Sequence, residues 1–322
     1  MKINSTYLLF YYIMIIGIMV SISSNNWVMM WSGLEISLMC FIPLMSGGLM
    51  SSESSIKYFV IQSMSSSMLM LGLTLMILME FNFEYLMLIS LSLKIGIAPF
   101  HTWILSIVNG LDYNSLFILF TLMKISPLVM LSYLNVNMDL LVLFSLLIGS
   151  ILGLNQNCVQ KILTYSSIYN MGYIISVINI NNTWVSYLFL YSLVLFMLIN
   201  IISSQKINYL NQMMCNELNM MLKSNIWISV LSLGGMPPFL GFFPKLMIIE
   251  SMIFNKMLII AMLMIFTSLL VMFFYIRMVS LLFLSFSSMM IWNSFKLNYT
   301  SFWFIIMNIM MSPLLIMSKS LL

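Results

Sequence analysis

The sequence predicts an all-α polytopic membrane protein with about eleven transmembrane helices. Of its 322 residues, 62% are hydrophobic and 6% are charged, whereas a soluble domain carries about 25% charged residues. Charge-free runs long enough to cross a bilayer as helices recur along the chain, for example at 3–34 and 162–205. Because no segment has the composition of a soluble domain, we treat 1–322 as a single transmembrane domain.

Asn, Gly, Ser and charged residues divide the apolar runs into spans of about 20 residues, the length that a helix needs to cross the hydrocarbon core. In chain order these breaks are 24–25, 46–54, 80–83, 109–114, 135–136, 155–157, 179–183, 205–223, 252–255 and 281–297. The predicted helices are therefore 5–23, 26–45, 55–79, 84–108, 115–134, 137–154, 158–178, 184–204, 224–251, 256–280 and 298–317. The first run is too long for a signal-peptide core, so we expect a retained helix.

An odd number of spans places the two termini on opposite sides of the membrane, and the lysines are divided unequally between those sides. The N-terminal side would carry Lys2, Lys57, Lys161, Lys206, Lys223 and Lys296, although Lys57 is at a helix edge and could be counted on either side. The other side would carry Lys256 and Lys319, together with acidic Glu80, Glu84 and Asp139. The positive-inside rule then predicts that the N-terminus faces the inner compartment.

Lys94, Lys124 and Lys245 lie inside apolar stretches, each within five residues of a proline. An ammonium at the centre of a membrane helix costs about 2.5–3.5 kcal/mol on insertion scales, so such residues mark ion or proton pathways. The alternative is that these lysines extend to the interface. Lys94 and Lys124 lie roughly 15 Å from the ends of their predicted helices at 1.5 Å per residue, which favours a functional role.

The prolines predict two interrupted helices, because a proline removes the donor for the carbonyl four residues earlier. Pro99 would free the carbonyl of Ile95 beside Lys94, and Pro127 would free that of Met123 beside Lys124. The prolines of segment 234–245 would free the carbonyls of Leu233, Gly234 and Leu240. Segments 94–101 and 234–245 are five helices apart, as expected for inverted repeats over about 5–134 and 137–280.

Glu35 lies midway along the second predicted helix, without a charged neighbour in sequence. A buried carboxylate either takes up a proton or pairs with a cation. The candidate partners are Lys57, Lys94 and Lys124. A buried pair of Glu35 with one of these lysines contains the two exchangeable groups that a proton relay needs at the least. The alternative is a neutral Glu35 that is hydrogen-bonded in the core.

The remaining polar residues define fewer possibilities. His101 follows the Pro99 break, where it could pass protons through water or serve as a structural group. Glu250 and Arg277 lie near predicted helix ends and are expected to pair or to face headgroups.

One histidine and three cysteines (Cys40, Cys158 and Cys215) do not supply iron–sulfur, haem or structural zinc ligands. Nucleic-acid binding is excluded because the lysines are dispersed.

Five motifs occur together and in order: Met-Trp-Ser-Gly-Leu-Glu at 30–35, Ile-Lys-Tyr-Phe at 56–59, Lys-Ile-Gly-Ile-Ala-Pro-Phe-His at 94–101, Lys-Ile-Leu-Thr-Tyr-Ser-Ser-Ile at 161–168, and Gly-Gly-Met-Pro-Pro-Phe-Leu-Gly-Phe-Phe-Pro-Lys at 234–245. With these motifs, 5–280 resembles the antiporter-like membrane subunits of mitochondrial respiratory complex I (NADH:ubiquinone oxidoreductase). The resemblance is to the invertebrate chain 2 members.

The resemblance implies two inverted five-helix repeats with two discontinuous helices, in the mitochondrial inner membrane, with the N-terminus in the matrix. It implies a proton relay in which Glu35 pairs with Lys94, Lys124 is central and Lys245 serves the second repeat, while Lys57 matches a further family lysine. Asn170 departs from the family, since relatives often have His there.

The resemblance also implies partners and cofactors. Other membrane-arm subunits and the lipid bilayer would be the partners, and this chain would hold no cofactor. NADH, FMN, iron–sulfur clusters and ubiquinone would be used elsewhere in the complex. A free-standing cation/proton antiporter and a structural membrane scaffold are the alternative functions.

Overall fold

The computed structural model describes residues 5–79, 83–180, 182–215, 220–287 and 299–320, which are predominantly α-helical. Its helices are α1 Ser5–Ser23, α2 Trp27–Met45, α3 Leu49–Met79, α4 Glu84–Ile95, α5 Thr102–Val108, α6 Tyr113–Phe120, α7 Leu122–Ser132, α8 Asp139–Gly153, α9 Val159–Val177, α10 Thr183–Gln205, α11 Gln212–Cys215, α12 Met220–Gly234, α13 Phe242–Phe254, α14 Leu258–Ser287 and α15 Tyr299–Ser320. Lys2, Glu80, Lys296 and residue 298, which enter the expectations above, lie outside the described residues.

Several helices in the described part of the chain suit a bilayer. Six are long and apolar enough to cross a membrane: Ser5–Ser23, Trp27–Met45, Leu49–Leu78, Tyr113–Ser132, Thr183–Gln205 and Leu258–Leu282. Large apolar side chains such as Ile259, Phe266 and Phe273 are exposed along α14, which fits contact with lipid rather than with water. The chain is a multi-pass membrane protein, whereas the count of eleven spans stays a prediction.

The predicted discontinuous helices are interrupted as expected. The predicted helix at 84–108 forms α4 and α5, and the predicted helix at 224–251 forms α12 and α13. An unpredicted interruption at Thr121 separates α6 from α7. The third helix begins at Leu49 rather than at residue 55, because Ser51, Ser52 and neighbouring serines bond to backbone carbonyls of the helix instead of ending it.

The described chain divides into two compact units, Met1–Leu141 and Val142–Leu322. The division lies close to the boundary predicted between the two repeats. In the first unit α1 and α2 approach closely through glycine. A Cβ atom on Gly33 would lie 2.7 Å from the carbonyl oxygen of Gly17 and 2.7 Å from the amide nitrogen of Ser21. The two helices therefore pack backbone to backbone, as small residues permit in membrane bundles.

In the first unit, a left-handed glycine ends α4. Gly96 has φ +73°, and the N–H groups of Gly96 and Ile97 both donate to the carbonyl of Ser92, at 2.9 and 3.1 Å. A residue at positive φ after the last helical turn is a common helix stop, and glycine adopts it without a steric penalty. The stop leaves 96–101 as a non-helical connection before α5.

The same stop ends α12 in the second unit. Gly235 has φ +89°, and the N–H groups of Gly235 and Met236 both donate to the carbonyl of Leu231, at 3.0 and 3.2 Å. Pro237 and Pro238 follow and have no N–H that would need a partner. The break at 235–241 therefore leaves few backbone donors unsatisfied in an apolar surrounding.

Replacing Gly96 by Ala tests this stop. The variant is expected to lower stability by about 2–5 kcal/mol, because it combines a left-handed backbone with overpacking. The added Cβ would lie 2.0 Å from Cδ1 of Ile104. The measurement is the thermal unfolding midpoint of the full-length protein in detergent. Gly47→Ala is the control, since no atom lies within 4 Å of its Cβ position, and equal midpoints for both variants would contradict the account.

Candidate functional site

An ion pair joins α2 and α4 in the first unit. Nζ of Lys94 lies 3.4 Å from Oε1 of Glu35, with 3% of the Lys94 side chain and 21% of the Glu35 side chain exposed. Of the three candidate partners for Glu35, the structure brings Lys94 to it. A carboxylate partner of this kind stabilises the charged form of a buried ammonium in an apolar surrounding.

The position of Lys94 at the helix break favours its charge further. Lys94 lies in the last turn of α4, where the partial negative charge of the helix C-terminus stabilises a cation. Side chains cap the free carbonyls there, since Nε1 of Trp103 donates to Leu93 at 3.0 Å and Nε2 of Gln62 donates to Lys94 at 3.1 Å. The carbonyls of Leu93 and Lys94 are thus satisfied by other side chains, and the ammonium is left for Glu35.

Lys124 is buried in a different way. It lies in the first turn of α7, just after the interruption at Thr121, where the helix dipole disfavours a cation. Its Nζ has no hydrogen-bond partner among the described residues and lies 5.6 Å from the centroid of the Phe120 ring. A desolvated cation–π contact contributes about 2 kcal/mol, so the ring alone does not replace hydration.

Lys94 and Lys124 line the same small cavity, which has about 20 Å³ of space for the centre of a water-sized sphere. A water needs about 10–15 Å³ by this measure, with two to four polar partners. The polar side chains around the cavity are Ser37, Tyr58, Gln62, Lys94 and Lys124. One water has room there and has donors and acceptors to bind.

Lys245 occupies the corresponding break in the second unit. Its Nζ donates to the carbonyls of Leu233, at 3.0 Å, and Gly234, at 2.6 Å. Leu233 and Gly234 are two of the three carbonyls that the sequence predicts to be free at this break, whereas the freed carbonyl of Leu240 stays a prediction. The ammonium, which starts from α13, lies at the C-terminal end of α12, where the helix dipole favours a cation.

Neutral polar side chains surround Lys245 on one side. Asn170, Tyr187 and Lys245 line a second cavity of about 20 Å³, and the Tyr187 hydroxyl donates to Oδ1 of Asn170 at 2.8 Å. Nζ of Lys245 also lies 5.5 Å from the centroid of the Tyr169 ring. The hydrogen-bond acceptors that hold the Lys245 ammonium are thus the backbone carbonyls of Leu233 and Gly234.

Comparison with known proteins decides the family. The family model described as "NADH:quinone oxidoreductase/Mrp antiporter, TM" matches residues 24–271. The chain belongs to this family. Within it, the chain is 45% identical over 260 residues to NADH-ubiquinone oxidoreductase chain 2 of Aedes aegypti and 36% identical over 259 residues to that of Anopheles gambiae, and each alignment covers 76% of both proteins. The resemblance stated from the motifs is confirmed.

The fold is also that of this family. The chain superposes on a chain of respiratory complex I from Thermus thermophilus, solved with bound aureothin, with a TM-score of 0.80. The two share 20% sequence identity, and the match covers 87% of this chain and 71% of the other. At that identity the likeness shows the fold alone, so the roles of individual residues rest on the geometry.

Two further residues of the family pattern lie apart from the cavity that Lys94 and Lys124 share. Lys57 is 44% exposed and pairs with Glu53, one helical turn earlier, at 2.6 Å. His101 is buried in the break, with Nδ1 3.2 Å from the carbonyl oxygen of Pro99. Their relay roles stay predictions.

The two charged residues expected near helix ends differ in their surroundings. The Arg277 guanidinium donates to the carbonyls of Leu154, at 2.7 Å, and Gln156, just beyond the end of α8. Glu250 lies within α13 and lines a third cavity, of about 570 Å³, together with Lys245. The sequence does not predict this relation, because a five-residue spacing on one helix does not place two side chains on the same face.

Replacing Glu35 by Gln tests the ion pair. The change leaves the Lys94 ammonium buried without its counter-charge, and we expect a loss of about 1.5–3 kcal/mol, the range for a hydrogen bond to a charged group. Thermal unfolding of the purified protein measures the effect. Glu53→Gln is the matched control, because it removes the exposed partner of Lys57 and should matter much less. The pair would be unimportant if both variants unfolded at the same temperature.

Proposed function

We propose that the protein is a membrane-arm subunit of respiratory complex I and takes part in proton translocation coupled to electron transfer from NADH to ubiquinone. The observation that carries the proposal is the cavity that Lys94 and Lys124 share, together with the ion pair between Lys94 and Glu35. Membership of the family and the two mosquito relatives named NADH-ubiquinone oxidoreductase chain 2 support the assignment to this complex.

Proton transfer in the first unit follows from electrostatic coupling. At 3.4 Å two unit charges interact by about 5 kcal/mol if the effective dielectric constant is about 20. Separation of Glu35 from Lys94 would therefore make the charged ammonium much less favourable, and its proton would pass to a neighbouring base. Lys124, across the shared cavity, is that base when it is neutral, and a water in the cavity would bridge the two amines.

Lys245 has the equivalent role in the second unit. Two carbonyls of α12 hold its ammonium when it is protonated. These dipoles are weaker than a full counter-charge, so the proton is held less firmly than it would be by a buried carboxylate. A group held in this way can both accept and release a proton during turnover.

The finer features of the proposal concern topology and partners. We propose eleven spans, ten of them in two inverted five-helix repeats and the last at about 298–317, in the mitochondrial inner membrane, with the N-terminus on the matrix side. The shared helix stop at Gly96 and Gly235, each followed by a Pro-Phe pair, supports the repeat. Other membrane-arm subunits would contact this chain, and the NADH, FMN, iron–sulfur and ubiquinone chemistry would take place in other parts of the complex.

Replacement of Lys124 by Met tests the proposal. Met keeps the apolar stem of the side chain and removes the unpaired charge, so the fold should persist with an unchanged or higher unfolding temperature. Protons translocated per NADH oxidised, measured with the intact complex in sealed vesicles, should fall. Lys256→Met, which removes an exposed ammonium beyond the end of α13, should pump normally. Normal coupled pumping by Lys124→Met would overturn the proposal.

Purification separates this function from that of a free-standing antiporter, which the family description also covers. As a subunit, the chain should co-purify from mitochondrial membranes with flavin and iron–sulfur proteins and should transport no cations when reconstituted alone. Autonomous cation/proton exchange in liposomes would favour the antiporter instead.

A further inference from the structure

Of the three cavities described above at Lys94, Lys124 and Lys245, the largest is lined by a carboxylate that the relay does not use. We propose that Glu250 is the proton-exchange group of the second unit and that it serves Lys245 through this cavity. The inference rests on the proposed function and adds to it the group that passes protons to or from Lys245.

The cavity connects two side chains that do not touch through the helix itself. Lys245 and Glu250 both lie on α13, where five residues correspond to a rise of about 7.5 Å and a rotation of about 140°. Both nevertheless line the same cavity of about 570 Å³, which is bounded by the break after α12 and by one face of α14. The route between the two charges therefore passes through the cavity.

The chemistry of the lining suits a short proton path. Most of the wall is apolar, including Leu246, and on the open side of the cavity α14 contributes exposed side chains such as Leu269 and Phe273. The cavity has room for several waters, since one water needs about 10–15 Å³ by the measure used for the small cavity. Waters in an apolar space need polar groups to anchor them. Lys245 at the break and Glu250 on the next turns of α13 provide a cationic and an anionic anchor.

The other cavity at Lys245 offers no equivalent group. Its polar side chains besides Lys245 are Asn170, Tyr187, Tyr191 and Ser232, which are neutral at physiological pH. The titratable groups on the wall of the large cavity are Lys245, Glu250 and Tyr173. Lys245 thus lies between a neutral hydrogen-bonding pocket and a larger space that leads to a carboxylate.

The proposed step is a simple proton transfer. The Lys245 ammonium gives one proton through water to the Glu250 carboxylate, which leaves a neutral amine and a neutral carboxylic acid. The acid then releases the proton to water where the partly exposed Glu250 is reached from outside the cavity. The reverse sequence loads Lys245, and no electrons are transferred.

Replacing Glu250 by Gln and by Asp in the intact complex tests the proposal. Glu250→Gln keeps the shape and hydrogen bonding of the side chain but cannot exchange a proton, so protons translocated per NADH oxidised should decrease. Glu250→Asp restores the carboxylate one methylene further back and should recover most of the loss. Glu53→Gln, which changes an exposed carboxylate, should leave pumping unchanged.

The outcomes separate this inference from the proposed function. Full pumping by Glu250→Gln, alongside a loss in Lys124→Met, would overturn the role of Glu250 alone. Full pumping by both variants would overturn the proposed function as well. Glu250 would also not be a proton-exchange group if Glu250→Gln kept the normal unfolding temperature and pumped fewer protons, while Glu250→Asp pumped no more than Glu250→Gln.

Discussion

The cost of holding an ammonium in an apolar bundle is the constraint on which the described structure depends. Each buried lysine of the site lies next to an interruption in a helix, where backbone or side-chain groups can offset that cost. Lys94 has a carboxylate at 3.4 Å, and Lys245 has two carbonyls at 3.0 and 2.6 Å. Lys124 has an aromatic ring and a small cavity. The three differ in how firmly a proton is held, which is the property that a relay requires.

The helix breaks can hold these lysines because much of their own backbone is already hydrogen-bonded. Gly96 and Gly235 adopt positive φ and close the preceding helices with paired N–H bonds to one carbonyl. The following prolines have no donor that would need a partner. In the first unit side chains of Trp103 and Gln62 cap the helix end, whereas in the second unit Lys245 itself does so. The same glycine stop therefore lies beside the Glu35–Lys94 ion pair in the first unit and beside the Lys245 ammonium, which is held by two carbonyls, in the second unit.

The sequence predicts the interruptions well, because proline and glycine act on the local backbone. The proline positions alone predict that the carbonyls of Leu233 and Gly234 lack a helical donor. Both carbonyls accept a hydrogen bond from Nζ of Lys245. The partner of Glu35 was left open among three lysines, since that choice depends on how α2 packs against α4. The Glu53–Lys57 pair has the four-residue spacing of a helical ion pair, but the only carboxylate considered for Lys57 from the sequence was Glu35. The relation between Lys245 and Glu250 was not predicted, because it depends on the cavity beside α13 and α14.

The interruption at Thr121 was also missed, because the sequence shows no glycine or proline there and Pro127 lies one and a half turns later within α7. Its consequence is that Lys124 begins a helix instead of lying in the middle of one, and its Nζ faces a cavity with room for one water. The water bridge between Lys124 and Lys94 is tested by an experimental density map of the complex at a resolution that shows water. We expect an ordered water within hydrogen-bonding distance of Nζ of Lys124, between Lys124 and Lys94. A dry cavity, with Lys124 paired to a carboxylate of another subunit, would contradict it.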